Sequence, residues 1–323
     1  MEKVTIEQHT FSIAENQEQP MSVLSFLNKQ IQILTNGHRL GTAMNYRRAT
    51  NTLASFLADR DLHFPEITSQ FIEQYSDYLL QKGMVRNSLS FHMRILRAVY
   101  NKAVRYGYTE QNFPFQNVYT GIDHTRKRAV GEDIIARLIH LKIKNKPYMN
   151  LSRDIFLFSF YTRGMAFIDI VYLRKSDVQD GIIRYTRHKT GQQLAVRIEP
   201  CIQKIIDRYA KATSKSPYIF PILKSEDGTI CYHQYSIALR RHNYRLQKLS
   251  HLLGLTRPLS SYTSRHSWAS MARKHNIPIS VISAGMGHSS EHTTQIYLTS
   301  LENSVVDTAN KGILEVFQKQ ETV

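Results

Sequence analysis

Four short segments concentrate side chains that can hold charge or move protons. The first, Tyr161-Thr162-Arg163-Gly164-Met165-Ala166, ends an apolar stretch with an arginine and runs on through Asp169 and Asp177. A guanidinium beside so many apolar residues needs an anion, because burying an unpaired charge is costly. That anion is either an internal carboxylate, Asp169 or Asp177, or a ligand. The second segment, His188-Lys189-Thr190-Gly191, puts a lysine on a tight turn. Its ammonium is either solvated or aimed into a cleft by the strands behind it. The third reads SSYTSRHSWAS over 260–270, and Arg265 and His266 are expected to open a helix there. Backbone N–H groups at a helix start favour anions, and arginine offers a forked donor to phosphate oxygens. His266 reads as a ring packed beside backbone. The fourth runs from Gly285 through His288 and His292 to Tyr297. The two histidines are four apart, the spacing of a helical metal pair. Ser290, however, reads as an N-cap, so His288 precedes the helix. With no cysteine or carboxylate set beside it, no metal is assigned. Tyr297 ends a short polar helix, where a tyrosine taken alone usually packs.

These segments need a scaffold, and the hydrophobic pattern supplies one. Apolar residues recur at helical spacing over 21–37, 42–60, 69–82 and 87–106, with Thr68 as an N-cap and Gly37, Gly83 and Gly107 as stops. Four helices with short connections read as a small bundle. Residues 107–130 lose periodicity, hold Pro114 and Gly121, and read as a linker. Beyond it, helices are predicted near 131–141 and 151–161, then a hairpin of strands 182–188 and 193–198 around the turn 189–191. Helices are expected again near 200–212, 232–253, 265–275, 279–284, 291–298 and 302–318. The fold class is therefore mainly α with a small β-sheet. It is divided into a short leader 1–20, a helical domain 21–106, the linker 107–130 and a larger domain 131–323.

Charge narrows the partner. The 323 residues carry 42 Lys+Arg against 26 Asp+Glu, a net charge of +16. The leader is net −3, residues 21–126 are +5 and residues 127–323 are +14. Such an excess, spread through patterned sequence, points to a polyanion: nucleic acid or an anionic membrane surface. No apolar run is long enough to span a bilayer, and the start MEKVTIEQHTF has no signal-peptide core. Cys201 and Cys231 define neither a disulfide framework nor a zinc site. The cytoplasm is the expected compartment.

Taken together the segments say more. Their order is an arginine, a turn lysine, Arg-His-Ser, Gly-His, and a tyrosine nine residues after that histidine. This order resembles the catalytic domain of the tyrosine recombinase (phage integrase) family. The wording YTRGMAF, YTSRHSWAS and MGHSSEHTTQIY is similar to the integrases and invertases of Bacteroides-type bacteria. The four-helix region resembles that family's SAM-like core-binding domain. The resemblance implies that Tyr297 attacks a scissile DNA phosphate, leaving a 3′-phosphotyrosyl link and a free 5′-hydroxyl. It makes Arg265 the second of two arginines that neutralise charge on the phosphorus oxygens. Lys189 becomes the general acid for the departing 5′-oxygen, and His288 a phosphate hydrogen-bonding residue. The bond energy stays in the covalent link, so neither ATP, a metal nor another cofactor is implied.

Two positions depart from the family pattern. Three residues before Asp169, where the first arginine is usual, stands Ala166; Arg163, one helical turn earlier, is the expected substitute. The usual His-x-x-Arg reads Tyr262-Thr263-Ser264-Arg265, leaving Tyr262 to position substrate. The partners implied are duplex DNA held by a two-domain clamp, a homo-tetramer on two DNA sites, and room for an accessory DNA-bending protein; a membrane is not. Arg47, Arg48, Arg86, Arg94 and Arg97 are candidate DNA contacts on the bundle. The apolar positions of 301–318 are expected to dock on a neighbouring subunit or to pack in cis. With only the leader before the bundle, a simple recombinase is expected, a DNA invertase or the integrase of a small mobile element. A silent DNA-binding protein of the same fold and a nicking topoisomerase are the alternatives.

Overall fold

A computed structural model describes residues 21–58, 60–123, 128–288 and 290–297, with side chains as far as 295. The expected leader and the expected helix 302–318 lie outside these residues. The chain divides into two compact units, Met1–His124 and Thr125–Val323, each with its own hydrophobic core.

The first unit is the bundle that periodicity predicts: α1 (Val23–Asn36), α2 (Leu40–Leu57), α3 (Ser69–Gln81) and α4 (Arg86–Arg105). Thr68 caps α3 by accepting from the Phe71 amide at 3.2 Å. Phe26, Leu53, Phe64, Ile72, Tyr75, Leu96 and Tyr100 fill the core. Much of the aperiodic stretch after α4 is fixed to this bundle. Phe115 is buried in its core. The Tyr100 hydroxyl lies 2.8 Å from the Glu110 carbonyl and 2.6 Å from Asn112 Oδ1. Asn87 exchanges two hydrogen bonds with the backbone of Asp123. These are single side-chain-to-backbone bonds, which leave no period in a sequence.

The second unit is built around one helix. Its elements are α5 (Glu132–His140), α6 (Pro147–Tyr161), α7 (Phe167–Tyr172), β1 (Val178–Gln179), β2 (Ile182–Thr186), β3 (Gln193–Arg197), α8 (Pro200–Ala210), α9 (Gly228–Leu252), α10 (Ser261–Lys274), α11 (Ile279–Met286) and α12 (Glu291–Tyr297). α6 is apolar on nearly every side and packs against α5, α7, α8, α9 and α10; a helix apolar all round belongs in a core. The strands form an antiparallel sheet ordered β1-β2-β3, in which Ile183 pairs with Val196 and both face the core. The hairpin matches its sequence expectation. α7 and β1 do not appear in it, because six and two residues are too few to display a period. Among the described residues no helix is long and apolar enough to cross a membrane.

One buried charge anchors this core. Asp154 of α6, 1% exposed, takes Arg153 Nε and Nη2 on one carboxylate oxygen at 3.0 and 2.8 Å. Its other oxygen takes Arg208 Nη1 and the Tyr209 hydroxyl of α8 at 2.5 and 2.7 Å. Burial, and then the Asp154 charge, push the Tyr209 hydroxyl well above its ordinary value. Removing one partner of a buried pair leaves the others uncompensated. Asp154→Ala is therefore expected to lower the unfolding free energy by about 3 kcal/mol, as read from urea titration. A loss confined to a few tenths would show that water replaces the carboxylate.

Candidate active site

α6 ends at Tyr161, and the chain turns through two left-handed residues, Arg163 (φ 60°) and Gly164 (φ 76°). The Gly164 amide donates to the Ser159 carbonyl at 2.8 Å, closing the helix end. Glycine is required here for a second reason. A Cβ at 164 would stand 2.8 Å from Arg265 Cγ and 2.9 Å from its Cα. The two chains approach because Arg265 Nη1 donates to the Gly164 carbonyl at 2.6 Å. One step further inside, the Ser159 hydroxyl meets the Ser264 hydroxyl at 2.8 Å and joins α6 to α10.

α10 begins four residues earlier than the sequence indicates. Ser260 caps it, its amide and hydroxyl lying 3.0 and 3.2 Å from Thr263 Oγ1. Arg265 is thus in the second turn, and the helix start is not what presents it. Instead its side chain, 4% exposed, is oriented by acceptors from three places. Besides Gly164, Nη2 donates to the Met286 carbonyl and to His288 Nε2, both at 2.8 Å. Because Nε2 accepts, the ring proton sits on Nδ1, which donates to Thr294 Oγ1 at 2.8 Å. Burial, then the charges of Arg265, Arg187 and Lys189, push the His288 ring down to about 4. The imidazole is neutral near pH 7. Thr294 is fully buried on α12, one turn before Tyr297 ends that helix. The Tyr297 side chain lies outside the described residues.

The hairpin turn completes the group. Asp169 of α7 accepts the His188 amide at 2.9 Å and faces His188 Nδ1 at 3.1 Å. The His188 ring also packs on Tyr172, with centroids 4.5 Å apart. Within the turn, the Arg187 amide donates to the Gln192 carbonyl and the Gly191 amide returns to the Arg187 carbonyl, each at 2.8 Å. Lys189 is exposed at the tip of this tethered turn.

Lys189, Arg265 and Tyr262 line one cavity of about 270 Å³, together with Ala166, Asp169, Arg187 and Arg128. Tyr262 is 49% exposed, with its ring 6.2 Å from that of His266. His288 is not on the wall but stands behind Arg265. Arg163 is not on the wall either. Its left-handed backbone sends the side chain along Gly285, and Nη1 reaches the Ala195 carbonyl of β3 at 3.4 Å. The expected reach of Arg163 toward the cavity is therefore not seen, while Ala166 is part of the wall. Two wall residues escaped sequence reading. Arg187 looked like a strand residue, and Arg128 like part of a basic linker cluster. The signal available was position: Arg187 stands two residues before the turn lysine. Among the described residues no group of three or more His, Cys, Asp or Glu side chains is placed to hold a metal ion.

In the first unit, Arg47 and Arg48 are exposed on α2. Arg86 stands 3.8 Å from Asp123 and over the Tyr119 ring at 4.0 Å. Arg94 Nε donates to the Ser90 carbonyl at 3.4 Å, and Arg97 Nη1 to Thr120 Oγ1 at 3.0 Å. The structure thus separates Arg47 and Arg48, exposed on α2, from Arg86 and Arg97, which also hold the segment after α4, while Arg94 bonds within its own helix.

Comparison with known proteins agrees with this arrangement. Residues 22–118 match the phage integrase SAM-like domain, and residues 132–304 match the phage integrase family. A tyrosine recombinase of Pseudothermotoga lettingae is 23% identical over 287 residues, covering 85% of this chain and 92% of that protein. Tyrosine recombinase XerC of Rickettsia rickettsii is 24% identical over 171 residues, 51% of this chain and 53% of that one. The fold is similar to lambda integrase, solved as a tetramer bound to a Holliday junction, with a TM-score of 0.63 at 14% identity, covering 87% of this chain and 78% of that one. It is also similar to the Tn1549 transposon integrase in complex with a circular intermediate DNA, with a TM-score of 0.62 at 15% identity, covering 90% and 99%. The chain belongs to the phage integrase family and is a tyrosine recombinase, an enzyme that cuts and rejoins DNA at specific sites.

Proposed function

We propose that the Tyr297 hydroxyl attacks a scissile phosphate of duplex DNA held in the cavity between α7, the β2–β3 turn and α10. The O–P bond to tyrosine forms as the P–O5′ bond breaks, and the phenol proton is released to water. Lys189 gives its proton to the departing 5′-oxygen, and a 3′-phosphotyrosyl link keeps the bond energy for rejoining. Arg265 neutralises a non-bridging oxygen. His288, neutral and held by Thr294, acts through Arg265, whose guanidinium it orients toward the phosphate. Tyr262 contributes a hydroxyl that positions the substrate. The observation that carries this reading is the relay from Arg265 through His288 to Thr294. It connects the phosphate-facing arginine to the helix that ends in Tyr297.

The same reading assigns 21–106 to core DNA binding and 131–323 to catalysis, with 107–130 between them. It places the enzyme in the cytoplasm, acting as a homo-tetramer on two DNA sites, by analogy with the lambda integrase tetramer on its junction. Inversion of a segment or movement of a small element, with or without a DNA-bending accessory protein, is its expected outcome.

The test is trapping on a nicked duplex made from the DNA that flanks the gene. Wild type should accumulate a covalent adduct and Tyr297→Phe none; an adduct with the Phe variant rules out this nucleophile. Lys189→Ala should cleave at least 100-fold more slowly on ordinary DNA. A duplex whose 5′-bridging oxygen is replaced by sulfur should restore that variant, since a thiolate leaves without a proton.

Salt dependence separates the bundle arginines. Each phosphate contact releases counterions, so Arg47→Ala or Arg48→Ala should reduce the log–log salt slope of binding by about 1. Arg86→Ala and Arg97→Ala should change the melting temperature of the first unit as well.

His288 also sets an acid limit. Its ring binds a proton at about 4 when folded and near 6.5 when unfolded. The unfolded chain therefore takes up protons first, and stability falls as pH drops from about 6.5 to 4. Between pH 7 and pH 5 this contribution is on the order of 1–2 kcal/mol. His288→Gln should show a smaller pH 7 to pH 5 difference in urea unfolding than wild type, and an equal difference would place the titration elsewhere.

A further inference from the structure

We infer that Arg187 supplies the second phosphate-neutralising guanidinium that Ala166 cannot, taking the part that spacing alone gives to Arg163. The inference rests on the cavity being the site of phosphoryl transfer. A pentacoordinate phosphorus carries charge on two non-bridging oxygens, and Arg265 alone covers one side. Ala166 is on the wall, but its side chain ends at Cβ and has no donor.

The two candidate arginines differ in where they lead. Arg163 runs along Gly285 to a β3 carbonyl and is off the wall. Arg187 is on the wall with Arg265 and Lys189, and is only 7% exposed. Its Nη1 donates to the carbonyl of Gly287, the residue before His288. That single bond leaves most of the five guanidinium donors for a ligand. Among the described residues no carboxylate lies within ion-pair distance of Arg187. The one acidic group on the wall, Asp169, is engaged by His188. Contrast the structural arginines, Arg153 and Arg208, which both close on Asp154. A buried guanidinium without an anion is costly unless an anion is meant to arrive.

The backbone makes the assignment geometrically economical. Arg187 forms the base of the turn that carries Lys189, through its bonds with Gln192 and Gly191. The general acid and the proposed phosphate clamp therefore move as one body. Gly287 connects that body to the His288 loop. Its positive φ (65°), and the nearness of Gln192 and Leu194 that leaves no room for a Cβ, keep this position a glycine and so set the turn whose carbonyl Arg187 meets.

The experiment compares Arg187→Ala, Arg187→Lys and Arg163→Ala in single-turnover adduct formation on the nicked duplex, with site binding and thermal midpoint measured alongside. Arg187→Ala should form adduct at least 100-fold more slowly while binding the site within about threefold of wild type. Replacing the scissile phosphate by a methylphosphonate, which has one neutral methyl in place of a charged oxygen, should restore most of the lost rate. Such rescue requires contact with the reacting group and is not given by a merely structural arginine. Arg187→Lys, which keeps the charge, should fall between and should serve if the alanine variant does not fold. Arg163→Ala should cleave within a few fold of wild type. A large loss in Arg163→Ala, or no methylphosphonate rescue in either Arg187 variant, overturns the assignment. If wild type itself forms no adduct, the phosphoryl-transfer reading fails instead, so the two failures are distinguishable.

Discussion

The buried guanidinium of Arg265 is the interaction on which the second unit is organised. Its charge is out of water, so its donors must be met. They are met from the turn after α6, the end of α11 and the ring of His288. Each acceptor constrains its own neighbourhood. Gly164 has to be glycine because its carbonyl must come so near that any Cβ would strike the α10 backbone. Met286 must present its carbonyl, so α11 must stop there, and it does so through left-handed Gly287. His288 must accept on Nε2, which fixes its tautomer and hands the remaining proton to Thr294. The position of α12 thereby follows from a charge on α10. The tyrosine proposed to do the chemistry inherits its place from the same charge.

Much of this was legible in the sequence, in uneven measure. The bundle announced itself because Phe71, Ile72, Tyr75 and Leu79 repeat at helical spacing, and the burial agrees. The hairpin was legible because β-branched alternation flanks Lys-Thr-Gly. Lys189 and Arg265 were identified by their wording, and both reach the cavity. What failed was anything decided by a single contact. The start of α10 depended on a Ser260–Thr263 cap against an equally plausible later start. Arg163 looked well placed by counting one turn back from Ala166. A left-handed backbone at 163 and 164 breaks that helix, so the count does not apply. Arg187 was hidden because it reads as one more strand residue: the alternation of β2 puts it on the inward face of Ile183, where a charged side chain is not expected.

The arginines of the second unit fall into types distinguished by what they close on. Arg153 and Arg208 meet a carboxylate and join α6 to α8. Arg187 meets a backbone carbonyl, which orients a guanidinium without neutralising it, and Arg265 meets carbonyls and the neutral His288 ring. A carbonyl partner is a partial charge, so the positive charge of Arg187 remains to attract an anion. This separates a stabilising arginine from a ligand-binding one more sharply than burial, since Arg153 is largely buried too. It also gives the net charge of +16 a finer meaning. Most of it is available for attraction at long range, and a few buried members belong to the proposed phosphate site.

The neutral state of His288 follows from the same economy. A fourth positive charge beside Arg265, Arg187 and Lys189 would repel all of them, and burial adds to the penalty. A neutral ring instead accepts from Arg265 and donates to Thr294, so it transmits position without adding charge. When an anionic phosphate enters, the repulsion is relieved and the ring becomes easier to protonate. In the proposed mechanism Lys189 remains the proton donor, and His288 serves by holding Arg265 through a nitrogen that must stay unprotonated to accept.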